Sequence, residues 1–199
     1  MYPLFESIAL IDGEIQNKEW HQSRFLTSYW EFYEQEPAYK LLEGIEIPKE
    51  MKKGIYKLRI SYNRDATNEK FEAYTSKIIR TLQLVQCDNI DYHLKYQDRE
   101  TIDSLYAKRK TSDDVLIERN GLLTDSSYAN IVFYNGREWE TPHKPLLEGT
   151  ARAKLLAENK ITEAKITVSD LSKYQSFKLI NALRDFDQQE EMNVENIFS

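Results

Sequence analysis

The sequence predicts an α+β fold for a chain of 199 residues. Alternating apolar runs bounded by Asp-Gly and Asn-Gly dipeptides predict short strands joined by tight turns. One long segment, residues 19–34, instead repeats aromatic and apolar side chains at helical spacing. The hydrophobic fraction of 41% supplies enough apolar surface for a core.

The N-terminal region of the chain combines strands with this prominent helix. Asp12-Gly13 is a turn signal that joins a strand at residues 4–10 to a return strand beginning at Ile15. Residues 35–50 are irregular, and further β-branched, alternating runs predict strands at 54–62, 71–74 and 81–86.

The C-terminal region alternates more closely between helices and strands. Asn120-Gly121 has the composition of a type I′ turn, which predicts a hairpin between its flanking strands. Helices are expected at 101–109, 151–159 and 169–174, and strands at 114–119, 122–124, 129–134, 139–141, 165–168 and 177–183. The tail from Asp185 is acidic and polar. A boundary near residues 86–91 predicts a smaller α+β domain at 1–88 and a larger domain at 89–199.

Composition excludes several classes of function. The net charge of −6 and the pI of about 5.3 argue against a nucleic-acid partner. A single cysteine, Cys87, allows no internal disulfide and no zinc site, and favours a reducing, cytoplasmic location. The three histidines lack metal-site spacing, so no metal is expected. No signal peptide and no run of about 20 apolar residues is present, so no membrane partner is expected.

Short motifs that carry chemistry follow one another in a fixed order. They are His21-Gln22-Ser23-Arg24, Lys95 with Arg99, Asp125-Ser126-Ser127-Tyr128-Ala129-Asn130, Thr141-Pro142, Gly149-Thr150-Ala151-Arg152 and Asn181-Ala182-Leu183. This order resembles the class IV pyridoxal-phosphate (PLP) enzymes, which include branched-chain and D-amino-acid aminotransferases and aminodeoxychorismate lyase. The spacing of Lys95 and Arg99 is most similar to the lyase branch.

The resemblance implies a D-amino-acid-aminotransferase-like fold of two domains, with residues 89–199 as the cofactor-binding domain. Family members carry a further segment before the strand that begins here at Phe5-Glu6-Ser7-Ile8, so the N-terminal domain is expected to be shortened. That segment shapes the substrate pocket in the family. A homodimer is also implied by resemblance alone.

The resemblance further implies PLP as cofactor, with Lys95 as the catalytic residue. Lys95 would hold PLP as a Schiff base and, once released, move a proton between substrate and cofactor carbons. Asp125 would pair with the pyridine nitrogen, where the family has the longer Glu. Taken singly, Lys95 matches a solvated surface lysine and Asp125 a turn residue.

The phosphate of PLP would be held by the helix start and a cation. Thr150 and Ala151 would present backbone N–H groups, and Arg24 would add a fixed positive fork.

Asn130 is expected to orient its loop, and Arg152 and Asn181 to be structural.

The leading functional interpretation is a lyase that eliminates pyruvate from 4-amino-4-deoxychorismate and leaves 4-aminobenzoate for folate synthesis. One alternative is an aminotransferase of a small or branched-chain amino acid that uses the same Lys95 and Asp125. Another is a catalytically weak relative that keeps the fold, which the shorter Asp125 side chain and the short N-terminus favour.

Overall fold

Three α-helices and thirteen strands make up the computed structural model, which describes residues 1–199 and confirms the α+β class. The helices are α1 Lys18–Tyr33, α2 Glu100–Ala107 and α3 Thr150–Ala157. The strands are β1 Leu4–Ile11, β2 Glu14–Ile15, β3 Ile55–Tyr62, β4 Thr67–Ala73, β5 Leu82–Gln86, β6 Asp114–Arg119, β7 Leu122–Ser126, β8 Asn130–Tyr134, β9 Trp139–Pro142, β10 Thr162–Ala164, β11 Ser176–Ile180, β12 Met192–Asn193 and β13 Ile197–Phe198. Short 3₁₀ helices span Lys49–Met51, Val168–Lys173 and Val194–Asn196. None of the helices combines the length and the apolar character that crossing a membrane requires.

The first compact unit comprises residues 1–76 and 94–98. Its antiparallel sheet has the order β2-β1-β3-β4. The Asp12-Gly13 turn has positive φ at both residues, 49° and 82°, as the predicted hairpin requires. Helix α1 buries Phe25 and Tyr29 in the same apolar cluster as Ile8 of β1 and Leu58 of β3. Burial of this aromatic face stabilises the helix, because most helices in proteins depend on tertiary packing more than on intrinsic helix propensity.

Residues 94–98 join the first unit by pairing with the start of β1. The Phe5 N–H donates to the Lys95 carbonyl at 3.1 Å, and the Gln97 N–H donates to the Pro3 carbonyl at 2.7 Å. Leu94 is buried in the cluster beneath. Lys95 is therefore held by backbone hydrogen bonds on one side and an apolar anchor beside it.

The second unit comprises residues 77–93 and 99–199 and is built on a nine-stranded mixed sheet. Its main path runs β10-β9-β8-β7-β6-β5-β13, and β11 pairs with both β8 and β12. A core of Leu116, Leu123, Ile131, Phe133 and Phe177 lies against it. Two ranges thus belong to a different unit from the one that a domain boundary at residue 88 gives them. Residues 77–88 belong to the second unit because β5 pairs in parallel with β6, and 94–98 to the first because of their bonds to β1.

Several elements differ from the sequence-based expectation. Residues 165–168 do not form the expected strand. The strand lies earlier in the chain, at β10 (Thr162–Ala164), and pairs in parallel with β9. The 3₁₀ helix Val168–Lys173 follows it. Thr167 and Asp170 form a capping box at the start of that 3₁₀ helix, so the polar side chains there favour a helix start over a strand. The tail contains two short strands, because β12 pairs with β11 and β13 pairs with β5.

Candidate active site

A buried carboxylate, Glu6, organises the chemistry of the first unit. Glu6 lies on β1 and is 0% exposed. The Arg24 guanidinium on α1 binds it through both Nε, at 2.8 Å, and Nη2, at 2.5 Å. Nδ1 of His21, one turn earlier on α1, lies 2.7 Å from Oε2 of Glu6, the oxygen that Arg24 Nη2 also binds. The H-x-x-R spacing therefore places both side chains on one carboxylate, because residues three apart on a helix are neighbours.

The charges in this cluster fix the protonation of its members. Burial alone would raise the pKa of Glu6, but the charge of Arg24 and hydrogen bonds from His21 and Arg24 outweigh it and lower the pKa to about 2. Burial lowers the pKa of His21, and the charges of Arg24 and Lys95 lower it further, against the opposing effect of Glu6. His21 is thus neutral at pH 7 and donates from Nδ1, which leaves its buried Nε2 as an acceptor without a partner.

Lys95 lies at the edge of the same cluster. Its side chain is half-buried, and its Nζ lies 5.0 Å from the centroid of the Phe5 ring, which Arg59 covers at 3.5 Å. The contribution of Lys95 to the pKa of His21 shows that its charge acts on the cluster. Lys95 is thus a partly buried amine beside an aromatic ring.

The second unit contains a second buried carboxylate, Asp125, on β7. It is 5% exposed. Its Oδ2 accepts hydrogen bonds from the N–H groups of Leu146 and Leu147, both at 3.0 Å, and its Oδ1 accepts one from Asn130 Nδ2 at 2.8 Å. An ionised carboxylate has about four acceptor positions. Three are used by the protein, which leaves one on Oδ1 for a ring N–H.

The environment of Asp125 sets its pKa near the physiological range. Burial raises the pKa, and the Leu147 N–H, the Asn130 amide, the charge of Arg152 and the Leu146 N–H lower it, with a net value of about 6. Asp125 is therefore mostly ionised at pH 7. A cationic ring nitrogen next to it would hold it fully ionised.

Helix α3 begins directly after the loop that Asp125 holds. Gly149 is its N-cap, and the first intrahelical bond runs from the Ala153 N–H to the Gly149 carbonyl. The N–H groups of Thr150 and Ala151 precede that bond, and no acidic residue lies in the first turn. These features suit an anion such as a phosphate.

Arg152 lies in the first turn of α3, and its side chain is held inside the protein. It is 2% exposed and donates to Glu148, Glu163 and the Pro142 carbonyl. A structural role is what the sequence predicts for Arg152. Asn130 also contacts its loop as expected, since its amide donates to the Leu147 carbonyl at 2.9 Å.

The structure thus groups the predicted residues into two sets. Arg24, on Glu6, and Lys95, beside Phe5, lie in the first unit. Asp125, Thr150 and Ala151 lie in the second. The second unit offers an acid with one acceptor position left, which fits the ring nitrogen of PLP. It also offers a helix start without acidic residues, which fits the phosphate of PLP.

Sequence reasoning missed two buried acids. Glu6 was assigned only to a strand, although an acid between buried Phe5 and Ile8 in an apolar run signals a buried pair. Asp114 is 0% exposed, and its pKa is raised by burial. Nothing in its local sequence distinguishes it from a strand-end aspartate.

We expect Asp125→Ala to destabilise the second unit. The change leaves the backbone N–H groups of Leu146 and Leu147 and one of the two Asn130 amide hydrogens without acceptors, and each unsatisfied donor costs about 1–3 kcal/mol. The free energy of unfolding should fall by about 3 kcal/mol or more in urea denaturation. Asp103→Ala, at an aspartate of the same unit that is 68% exposed, is the control, and an equal loss in both variants would contradict the assignment.

Comparison with known proteins identifies a family. The model of the family described as amino-transferase class IV matches residues 93–186, which include Lys95, Asp125 and the start of α3. An uncharacterized protein from Haemophilus influenzae is 41% identical over 185 residues, which cover 92% of this chain and 98% of the relative.

Solved structures share the fold. A protein from Haemophilus somnus 129PT, named as a putative 4-amino-4-deoxychorismate lyase, superposes with a TM-score of 0.81 at 37% identity, over 92% of this chain and 97% of that one. The PLP-bound form of a hypothetical aminotransferase from Mycobacterium tuberculosis has a TM-score of 0.71 at 13% identity, over 98% of this chain and 81% of that one. The second likeness shows the fold alone, and this is the class IV aminotransferase fold that the resemblance implied.

Proposed function

Because the chain belongs to the class IV aminotransferase family and is an enzyme, we propose that it is a PLP-dependent lyase. Its substrate would be 4-amino-4-deoxychorismate, which it would convert to pyruvate and 4-aminobenzoate. The observation that carries this proposal is the similarity, over nearly the whole of both chains, to the Haemophilus somnus protein named for that substrate. The two products contain all the atoms of the substrate, so the reaction needs no water and no second amino acceptor.

Lys95 is the residue we propose as catalytic. When bound, PLP supplies an electron sink for the charge that develops on the substrate carbon. The Lys95 amine would attach to the cofactor aldehyde with loss of water and, when released by the substrate amine, would take the proton from the substrate carbon next to that amine. The carbon–oxygen bond to the enolpyruvyl group would then break, and that leaving group would take up the proton and become pyruvate. The backbone bonds of residues 94–98 to β1 would fix where that amine returns.

Asp125 and the start of α3 would bind the two ends of PLP. The remaining acceptor position on Asp125 Oδ1 would take the ring N–H and keep the ring nitrogen protonated. Thr150 and Ala151 would bind the phosphate through their N–H groups and the helix dipole. Arg24 would add positive charge, with its orientation fixed by Glu6.

The alternative within the same family is an aminotransferase of a small or branched-chain amino acid, which the family description favours. It would use the same Lys95 and Asp125 but would need a keto acid to accept the amino group. Membership of an enzyme family argues against a catalytically weak relative.

We expect the purified enzyme, loaded with PLP, to release pyruvate and 4-aminobenzoate in equal amounts without any added keto acid. Coupled lactate dehydrogenase measures the first product and fluorescence the second. The same preparation with branched-chain amino acids and 2-oxoglutarate is the comparison. Turnover only when both an amino acid and a keto acid are present would overturn the lyase proposal and support the aminotransferase.

We also propose a cytoplasmic homodimer. The free thiol of Cys87 suits a reducing compartment. Leu26 and Trp30, four residues apart on α1, are 38% and 55% exposed and present apolar surface to a second copy. Sedimentation equilibrium should give twice the chain mass of 23.6 kDa, and a monomer at all concentrations would contradict this proposal.

A further inference from the structure

We propose that Asn130 is a positioning residue that fixes the spacing between Asp125 and the start of α3, and that residue 149 is glycine because the Asn130 amide occupies the space of its Cβ. This inference rests on the proposed function, since the spacing matters to chemistry only if Asp125 and Thr150 hold two ends of one cofactor. It adds a residue that touches neither end.

Asn130 donates two hydrogen bonds from its amide nitrogen within the second unit. It is 5% exposed at the start of β8, where it pairs across the strands with Asp125. Its Nδ2 donates to Asp125 Oδ1 at 2.8 Å and to the Leu147 carbonyl at 2.9 Å. One amide nitrogen therefore links the acid to the loop that leads into α3.

Asp125 binds the same loop from its other oxygen. Its Oδ2 accepts from the Leu146 and Leu147 N–H groups. Leu147 is thus held at its N–H by Asp125 and at its carbonyl by Asn130. Gly149 follows two residues later, so little freedom remains between the acid and the helix start.

Gly149 shows that this arrangement leaves no spare room. A Cβ on Gly149 would lie 1.9 Å from Asn130 Oδ1 and 3.1 Å from its Cγ. The backbone of Gly149, with φ −71° and ψ 141°, is in a region open to any residue. Glycine is therefore required here by the neighbouring amide and not by backbone conformation.

A continuous set of contacts follows from Asp125 through Asn130 and Leu147 to Gly149 and Thr150. Displacing the amide would loosen the acid and the anion-binding helix start together. A bulkier residue 149 would push the amide away, and a shortened residue 130 would remove it. Both changes should consequently weaken PLP binding in the same way.

A double-mutant cycle tests this coupling. We expect Asn130→Ala and Gly149→Ala each to raise the dissociation constant for PLP at least tenfold in absorbance titrations of the full chain. In the Asn130→Ala background, Gly149→Ala should add nothing, because its clash partner is gone. Asn130→Ser, which also shortens the side chain, provides a milder variant should alanine impair folding.

The controls separate coupling from general damage. Gly121→Ala, at a turn with φ +81°, should change the dissociation constant for PLP by the same factor with and without Asn130. Asn89→Ala, at an exposed position, should leave PLP affinity unchanged. Equal, additive effects of Gly149→Ala in both backgrounds would overturn the inference.

A second readout distinguishes positioning from mere stability. The Asn130 hydrogen bond lowers the pKa of Asp125, so Asn130→Ala should move the titration of the Asp125 carboxyl group, followed by carbon-13 NMR in the full chain without PLP, to higher pH, with Arg152 and its charge unchanged. An unshifted titration would contradict a positioning role. If the unaltered protein binds no PLP at all, the proposed function fails. If it binds PLP and the cycle is additive, only this inference fails.

Discussion

Lys95→Ala is expected to abolish covalent attachment of PLP and to slow pyruvate release by about 10²–10⁴-fold or more, the range lost with a single general acid–base group. The amine would perform two tasks, attachment and proton transfer, and alanine can perform neither. Borohydride reduction followed by peptide mass spectrometry should place the cofactor on Lys95 in the unaltered enzyme. After gel filtration, the variant should no longer show the visible absorbance of bound PLP.

The fold should survive this change. The hydrogen bond that joins Lys95 to β1 uses its backbone carbonyl, which alanine retains. Lys70→Ala, at a lysine of the same unit that is 68% exposed, is the matched control and should keep full activity. Unchanged pyruvate release in Lys95→Ala, or borohydride labelling at another lysine, would rule out the assignment.

Glu6→Gln is expected to destabilise the protein by about 3–5 kcal/mol, the cost of removing one partner from a buried ion pair. The amide keeps the volume but loses the charge that balances Arg24, and its NH₂ group opposes a donor on either His21 or Arg24. Urea denaturation at pH 7 measures the loss. Glu69→Gln, at an exposed glutamate of the same sheet, should change stability little.

The same carboxylate gives the protein a defined acid sensitivity. Its pKa falls from the ordinary value of 4.5 to about 2 on folding, so its contribution is fully present above pH 4.5 and is lost as pH falls towards 2. A shift of this size corresponds to about 3 kcal/mol. The lowered pKa of His21 adds to the loss on acidification, since the unfolded chain takes up its proton first.

Comparing urea unfolding at pH 7 and pH 3 checks the sign. The loss of stability between these two pH values should be smaller in Glu6→Gln, which has no carboxyl group to titrate at this position. An equal loss in both proteins would show that other acids dominate the acid response.

The amino-acid sequence by itself determined the features that depend on neighbouring residues. The Asp12-Gly13 and Asn120-Gly121 turns adopt the positive φ that their residues favour. Helix α1 follows from its aromatic spacing, and the order of motifs from Lys95 to Arg152 led to the family. Each of these signals consists of residue types and their spacing along the chain, so no distant contact was needed to infer it.

Only the tertiary structure decided the contacts between distant segments. Glu6 acquires its role because α1 brings His21 and Arg24 onto β1, across 15 and 18 residues. The strands of the tail exist because β11 and β5 offer free edges, whatever the polarity of the tail itself. The space that Asn130 takes from residue 149 depends on a loop held by Asp125. Side-chain volume and hydrogen-bond satisfaction between distant residues leave no periodic pattern in a sequence, so these features became visible only in the fold.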